Sequence, residues 1–197
     1  MRYSPDHKEE ARSRILGAAG RGFRRLGFGG MGVDGLAKEA GVTSGAFYGH
    51  FPSKAEAFKA AAVAGLVQLR EAVEALRQEE GDAWLGKFVD FYLNVRRTCE
   101  AGESCALQSL TPEVARADTE TREAYEAELI KIVEAVAEGL TGGTLPARRK
   151  TAWAVLALLS GGVSIARATA DSKTSTQIAN AIKPAIQVLL ADYPQSV

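Results

Sequence analysis

The sequence predicts an all-α protein: a small three-helix unit at the N-terminus, followed by a larger helical body. Three observations carry that expectation. Apolar residues recur at three- and four-residue spacing along almost the whole chain, and no alternating strand pattern persists. Glycine, proline and helix-capping residues cut those periodic runs into helix-sized pieces.

Ser4-Pro5 is a helix entry, with serine as N-cap and proline at the first helical position. Ala11, Ile15, Ala19, Phe23 and Leu26 then share one face. Gly17, Gly20 and Gly22 each cost this helix on the order of 1 kcal/mol relative to alanine, so packing must hold it. Gly27, Gly29 and Gly30 end it. A short helix over 33–40 turns Val33, Leu36 and Ala37 inward, and Gly41 suits the position after its C-cap. Thr43 caps a third helix of about two turns before Phe51-Pro52. Ser53-Lys54-Ala55-Glu56 has the form of a capping box opening a long fourth helix, with Phe58, Ala62, Leu66, Leu69, Val73 and Leu76 as its stripe. Further helices are expected over 82–98, 104–116, 119–140, 146–170 and 175–191. Pro112, Gly142-Gly143 and the polar run Asp171 to Thr176 punctuate them.

A chain of 197 residues can bury a substantial core without disulfide or metal staples. Its 46% hydrophobic content is ordinary for a globular protein. No apolar run approaches the roughly 20 residues of a membrane span, and Met1-Arg2-Tyr3-Ser4-Pro5-Asp6 has no signal-peptide core. Cys99 and Cys105 suit a reducing compartment better than an extracellular disulfide scaffold, so a cytoplasmic location without membrane association is expected.

The formal net charge is zero, but its distribution is uneven. Residues 1–59 hold ten Lys/Arg against six Asp/Glu, and the remaining 138 hold 14 against 18. A basic N-terminal segment beside an acidic remainder points to the first as the part that meets phosphate.

The spacing from Gly32 to Phe51 sharpens this. A short helix, a tight turn through Gly41 and a second short helix make a helix-turn-helix, whose second helix enters the major groove of double-stranded DNA. Phe47 and Phe51 can pack back onto the first helix, leaving Thr43, Ser44, Ala46, Tyr48 and His50 outward. In an arbitrary short helix Tyr48 and His50 would more often be surface or packing residues; within this motif the odds reverse. Arg21, Arg24 and Arg25 read as a solvated helix face.

The string Gly35 to Lys54 resembles the DNA-binding segment of the TetR family of bacterial repressors. It satisfies every fixed element of A-x-x-A-G-V-[ST]-x-G-x-[LF]-Y-x-[HY]-F-x-[SN]-K, and the likeness extends through roughly residues 9–69. The resemblance implies a DNA-binding domain over 9–69 and a helical ligand-binding and dimerisation domain over 70–197. It implies that Thr43 caps the recognition helix and touches a phosphate, and that Ser44, Gly45 and Ala46 lie nearest base edges. Tyr48 and His50 would contact phosphates or thymine methyls, and Lys54 would reach a phosphate beside the fourth helix's N-terminus. The family usually places threonine just before the second helix, whereas this chain has Met31-Gly32. Gly32 can cap but offers no hydroxyl, leaving a backbone N–H as its means of meeting a phosphate.

For the body, the resemblance implies a small-molecule effector that releases DNA. Trp84, Phe88, Phe91, Tyr92 and Trp153 are the aromatic candidates for its pocket, although helical spacing alone would make most of them core. Ala152 to Ala168 is apolar around most of its circumference, so it threads the core or packs on a second subunit. The resemblance implies both, with a homodimer formed through the last two long helices. Gly161-Gly162 would allow close helix approach there. Pro184 is expected to kink the partner helix. A dimer sets two recognition helices about 34 Å apart, matching a palindromic operator. Cys105, in Glu103-Ser104-Cys105, is the candidate redox residue, and would need access and a lowered thiol pKa.

An enzyme would need a nucleophile, base or metal set. The histidines are His7 and His50, both N-terminal, and no H-E-x-x-H, cysteine cluster or phosphate-binding glycine loop occurs. Glu9-Glu10 and Glu79-Glu80 read as exposed charges. The sequence therefore calls for no catalytic residue, cofactor or metal. An architectural or interaction protein that binds no small molecule is the remaining alternative.

Overall fold

A computed structural model describes residues 5–191 of the chain; Ser4, expected as the first N-cap, and the side chain of His7 lie outside the described residues. Among those residues there are helices and no strands. The ten α-helices are α1 (Pro5–Gly30), α2 (Val33–Glu39), α3 (Ser44–Tyr48), α4 (Lys54–Glu80), α5 (Trp84–Phe91), α6 (Ala106–Ser109), α7 (Thr111–Val114), α8 (Thr119–Gly139), α9 (Leu145–Arg167) and α10 (Ser172–Ala191). The fold class is the one the periodicity predicts. Two compact units form: the chain up to Gly65 with Glu100–Tyr125, and Leu66–Cys99 with the chain from Glu126 on.

In the first unit, Ile15, Ala19 and Phe23 of α1 are buried as their spacing predicts, and the Ile15 and Phe23 side chains contribute roughly 1.5–3 kcal/mol each. Phe23 meets Phe58 of α4 edge-on at 5.3 Å. Gly27 breaks the helical path of α1 with φ 71° and ψ 173°, a conformation that L side chains rarely adopt. The segment from Glu100 belongs here because it packs on α1: Arg24 Nε donates to the Gly102 carbonyl at 2.7 Å. Lys59 of α4 pairs with Glu120 of α8.

In the second unit, Trp84, Phe88 and Tyr92 are buried, as are Ile132, Val133 and Val136 of α8 and Val155, Leu159 and Val163 of α9. Gly162 permits the close approach of α9 to α10: a Cβ there would fall within 3 Å of Ile182. Gly161 meets no neighbour.

Three expected boundaries are corrected. The segment 82–98 is not one regular helix. A 3-10 turn (Gly81–Ala83) precedes α5 and a π-helical turn (Tyr92–Arg96) follows it. There Asn94, Arg97 and Thr98 donate side-chain bonds to the carbonyls of Asp90, Leu93 and Asn94, competing with the regular ladder. The segment 104–116 is two single turns, α6 and α7, because Pro112 lacks the N–H that a continuous helix needs. Helix α10 starts at Ser172 rather than 175, since the Asp171 carboxylate accepts from the amides of Lys173 and Thr174; those bonds also hold its pKa below the usual carboxylate value. It runs on through Pro184.

Candidate nucleic-acid interface

The helix-turn-helix is built by local rules. Gly32 is the N-cap of α2 and makes no side-chain cap bond, as its lack of a hydroxyl requires. At the other end Gly41 sits at φ 68°, with Gly41 N–H donating to Lys38 O and Val42 N–H to Ala37 O. That pair of bonds is a Schellman motif, and it reverses the chain within three residues. Thr43 then caps α3, its Oγ1 accepting from the Ala46 amide at 3.1 Å. Leu36, Ala37, Phe47 and Phe51 are buried and fix α3 against the unit's core.

Burial leaves a definite outer surface. Gly32, Thr43, Gly45, Ala46 and Tyr48 are exposed, Tyr48 at 52%, while Ser44 and His50 are half-buried. The small residues at 45 and 46 let a surface come close to the α3 backbone. Ser44 does not point free into solvent: its Oγ donates to Asp34 Oδ1 at 2.5 Å. His50 has its Nδ1 buried with no hydrogen-bond partner among the described residues, and the residue lines a hollow with Arg12, Phe51, Glu56 and Lys59.

Lys54 departs from its expected place. Rather than extending outward, its Nζ donates to Phe28 O at 2.7 Å and Met31 O at 3.3 Å, and lies 4.2 Å from the centre of the Phe28 ring. Two carbonyls and a π-face satisfy the ammonium, so it ties the exit of α1 to the start of α4. The capping box is half-made: Ser53 Oγ accepts from the Glu56 amide, but the Glu56 carboxylate turns to Lys59. Arg21 and Arg25 both pair with Glu39. Arg14 and Lys38 make no ion pair among the described residues and remain available to an anion.

The aromatic candidates divide. Trp84, Phe88 and Tyr92 form a ring-on-ring column at 6.4 and 5.6 Å, and Trp84 Nε1 donates to Gly139 O at 3.0 Å. Trp84 borders a cavity of about 210 Å³ with Leu85, Leu140, Thr151 and Leu190. Phe91 and Trp153 lie elsewhere, 42% and 45% exposed. Trp153 falls outside the buried stripe 152, 155, 156, 159, whereas Phe91, seven positions after Trp84, shares that residue's side of a regular helix and is exposed all the same. Cys105, the candidate redox residue, is buried at 7% exposure, short of the access that such a role needs. Cys99 is half-buried; its Sγ lies 3.5 Å from Arg96 O and 3.8 Å from the Arg167 guanidinium.

Asp34 was missed at the sequence level. The available signal was a carboxylate in the first turn of α2, two positions past the N-cap, in a segment otherwise expected to meet phosphates. Among the described residues no group of His, Cys, Asp and Glu could hold a metal, and no helix is long and apolar enough to cross a membrane.

A two-helix reader with an exposed second helix, carried on an all-α chain, defines a DNA-binding transcriptional regulator. Residues 15–61 match the family described as bacterial regulatory proteins, tetR family. The whole chain has the fold of solved TetR-family regulators. One from Cytophaga hutchinsonii aligns with TM-score 0.80 at 18% identity, covering 98% of each chain. Reduced NemR of E. coli aligns with TM-score 0.76 at 19% identity, covering 95% of this chain and 99% of that one. FadR of Bacillus subtilis, solved with stearoyl-CoA, aligns with TM-score 0.68 at 15% identity, covering 92% and 99%. Among curated proteins no match is found.

Proposed function

We propose that the chain is a ligand-responsive repressor that binds a palindromic operator as a homodimer and leaves it when a small molecule occupies the C-terminal domain. The observation that carries the reading is the capped, exposed recognition helix α3 set on a tetR-family domain. In this reading residues 9–69 bind DNA and 70–197 bind effector and partner. Gly32, Thr43, Gly45, Ala46, Tyr48 and His50 face the duplex with Ser44, while Lys54 acts by holding α4 against α1. Arg14 and Lys38 supply phosphate contacts in its place.

The dimer reading is supported by an apolar surface on the last two long helices. Trp153, Leu158 and Ile165 of α9 and Val188 of α10 are 37–62% exposed, and Gly161 between them is open. In this reading a second copy of the chain covers these side chains. For the effector, Trp84 and the cavity it borders are the starting point. At about 210 Å³ that cavity is below the roughly 300 Å³ at which drug-sized sites begin, so a compact ligand suits it. Selection of bound duplexes from a random DNA pool tests the function: an enriched palindrome supports it, and unenriched sequence after several rounds refutes it.

A further inference from the structure

We propose that Asp34 is a specificity-determining residue, reading a cytosine in each operator half-site together with Ser44. The inference rests on the DNA-binding role proposed above and goes beyond it by assigning a base.

The geometry starts from α3. Residues at the N-terminus of a recognition helix approach base edges, and Ser44 is the first residue of α3. Its hydroxyl proton is committed to Asp34 Oδ1 at 2.5 Å. That bond has two consequences. It pins an exposed carboxylate of α2 to the leading end of the recognition helix, where Thr43, Gly45 and Ala46 are exposed as well. It also leaves Ser44 Oγ with lone pairs alone to offer outward. The pair therefore presents acceptors and no donor.

An all-acceptor surface discriminates among bases by their major-groove edges. Guanine shows two acceptors, N7 and O6, and thymine shows O4 and a methyl group, so both repel or fail to engage a carboxylate. Adenine offers the N6 amino group but places the N7 acceptor beside it. Cytosine offers the N4 amino donor, which is the base atom that Asp and Glu accept from. Cytosine fits best.

The charge balance supports a reading role over an accidental one. Among the described residues no Lys or Arg forms an ion pair with Asp34. A carboxylate carried at the leading end of a recognition helix repels the phosphates on either side of the groove. Its burden falls on every sequence alike, whereas its hydrogen bond forms only with the right one. Such a residue lowers non-specific binding and raises selectivity together.

The test is parallel selection from random duplex DNA with the unmodified protein, Asp34→Ala, Asp34→Asn and Ser44→Ala, each first shown by thermal unfolding to keep its fold. The unmodified protein is expected to enrich a half-site with cytosine at one position, favoured about tenfold over other bases. Asp34→Ala loses that preference at that position alone, and Asp34→Asn moves it toward adenine, whose N6 and N7 match an amide. Ser44→Ala weakens it by a smaller factor. Both Asp34 variants bind unrelated duplex more tightly at low salt. Identical half-sites with identical preferences from all four proteins would overturn the role of Asp34 while leaving DNA binding intact. Absence of any enriched site with the unmodified protein would overturn both.

Discussion

Lys54 Nζ donates to the carbonyl of Phe28 at 2.7 Å, with the Phe28 ring 4.2 Å beneath it. Phe28 directly follows the positive-φ Gly27, where α1 stops being a regular helix. A charged donor thus closes the carbonyls that the break in α1 leaves open, and it does so from the first residue of α4.

Lys54→Met is therefore expected to lower stability by about 2 kcal/mol, the scale of a lost charge-assisted hydrogen bond, measured by urea unfolding. Its effect on the salt dependence of DNA binding should be small. Arg14→Ala, which removes an unengaged cation, should instead reduce the salt slope by about one unit with little loss of stability.

Tyr125 donates or accepts across 2.6 Å with Thr111 and is buried, and burial pushes its phenol up to about 12 from 10.0. A raised native value means that the neutral phenol stabilises the fold fully below pH 10. That contribution is lost as pH rises from 10 towards 12. Tyr125→Phe should flatten the fall in stability over this alkaline window, followed by circular dichroism. An unchanged alkaline profile would remove Tyr125 as its cause.

Glu128 is 5% exposed and bonds Arg70 Nε at 2.8 Å and Lys131 Nζ at 2.9 Å. Burial opposes its ionisation, but these two donors outweigh it and hold the carboxyl below its ordinary value. Its stabilisation is present above the unfolded value of 4.5 and disappears as pH falls through the lower native one. Glu128→Gln should cost roughly 1.5–3 kcal/mol at neutral pH. The difference from the unmodified protein should shrink in acid, as read from denaturant midpoints at several pH values.

Much of the fold was legible because its punctuation is local. Gly41 and Thr43 act through their own backbone and nearest neighbours, so spacing alone placed the turn and the cap of α3. The aromatic column 84, 88, 92 followed from helical periodicity, though the same periodicity could not exclude Phe91 and Trp153. What stayed hidden depends on partners far along the chain. Lys54 meets Phe28 26 residues away, Ser44 meets Asp34 ten residues away, and Arg24 meets Gly102 78 residues away. The π-helical turn was illegible for another reason: Asn94, Arg97 and Thr98 look like ordinary helix-surface residues until their carbonyl bonds are seen.

Trp153→Asp places a charge in the exposed apolar face of α9 without disturbing a buried residue. If that face joins two copies, sedimentation should show a dimer for the unmodified protein and a monomer for the variant, with helical content unchanged. Operator affinity should fall with it, since a lone recognition helix reads one half-site. A variant that remains dimeric would place the interface elsewhere.

The most direct test of sequence-specific DNA recognition is a ratio of affinities. Fluorescence anisotropy at one fixed salt concentration would compare the duplex recovered by selection with a scrambled duplex of equal length and composition. Specific recognition through α3 predicts binding at least about 10³-fold tighter to the selected duplex, and a Tyr48→Ala, Ala46→Asp variant should lose most of that advantage. Equal affinity for the two duplexes, falling in parallel with salt, would contradict the account.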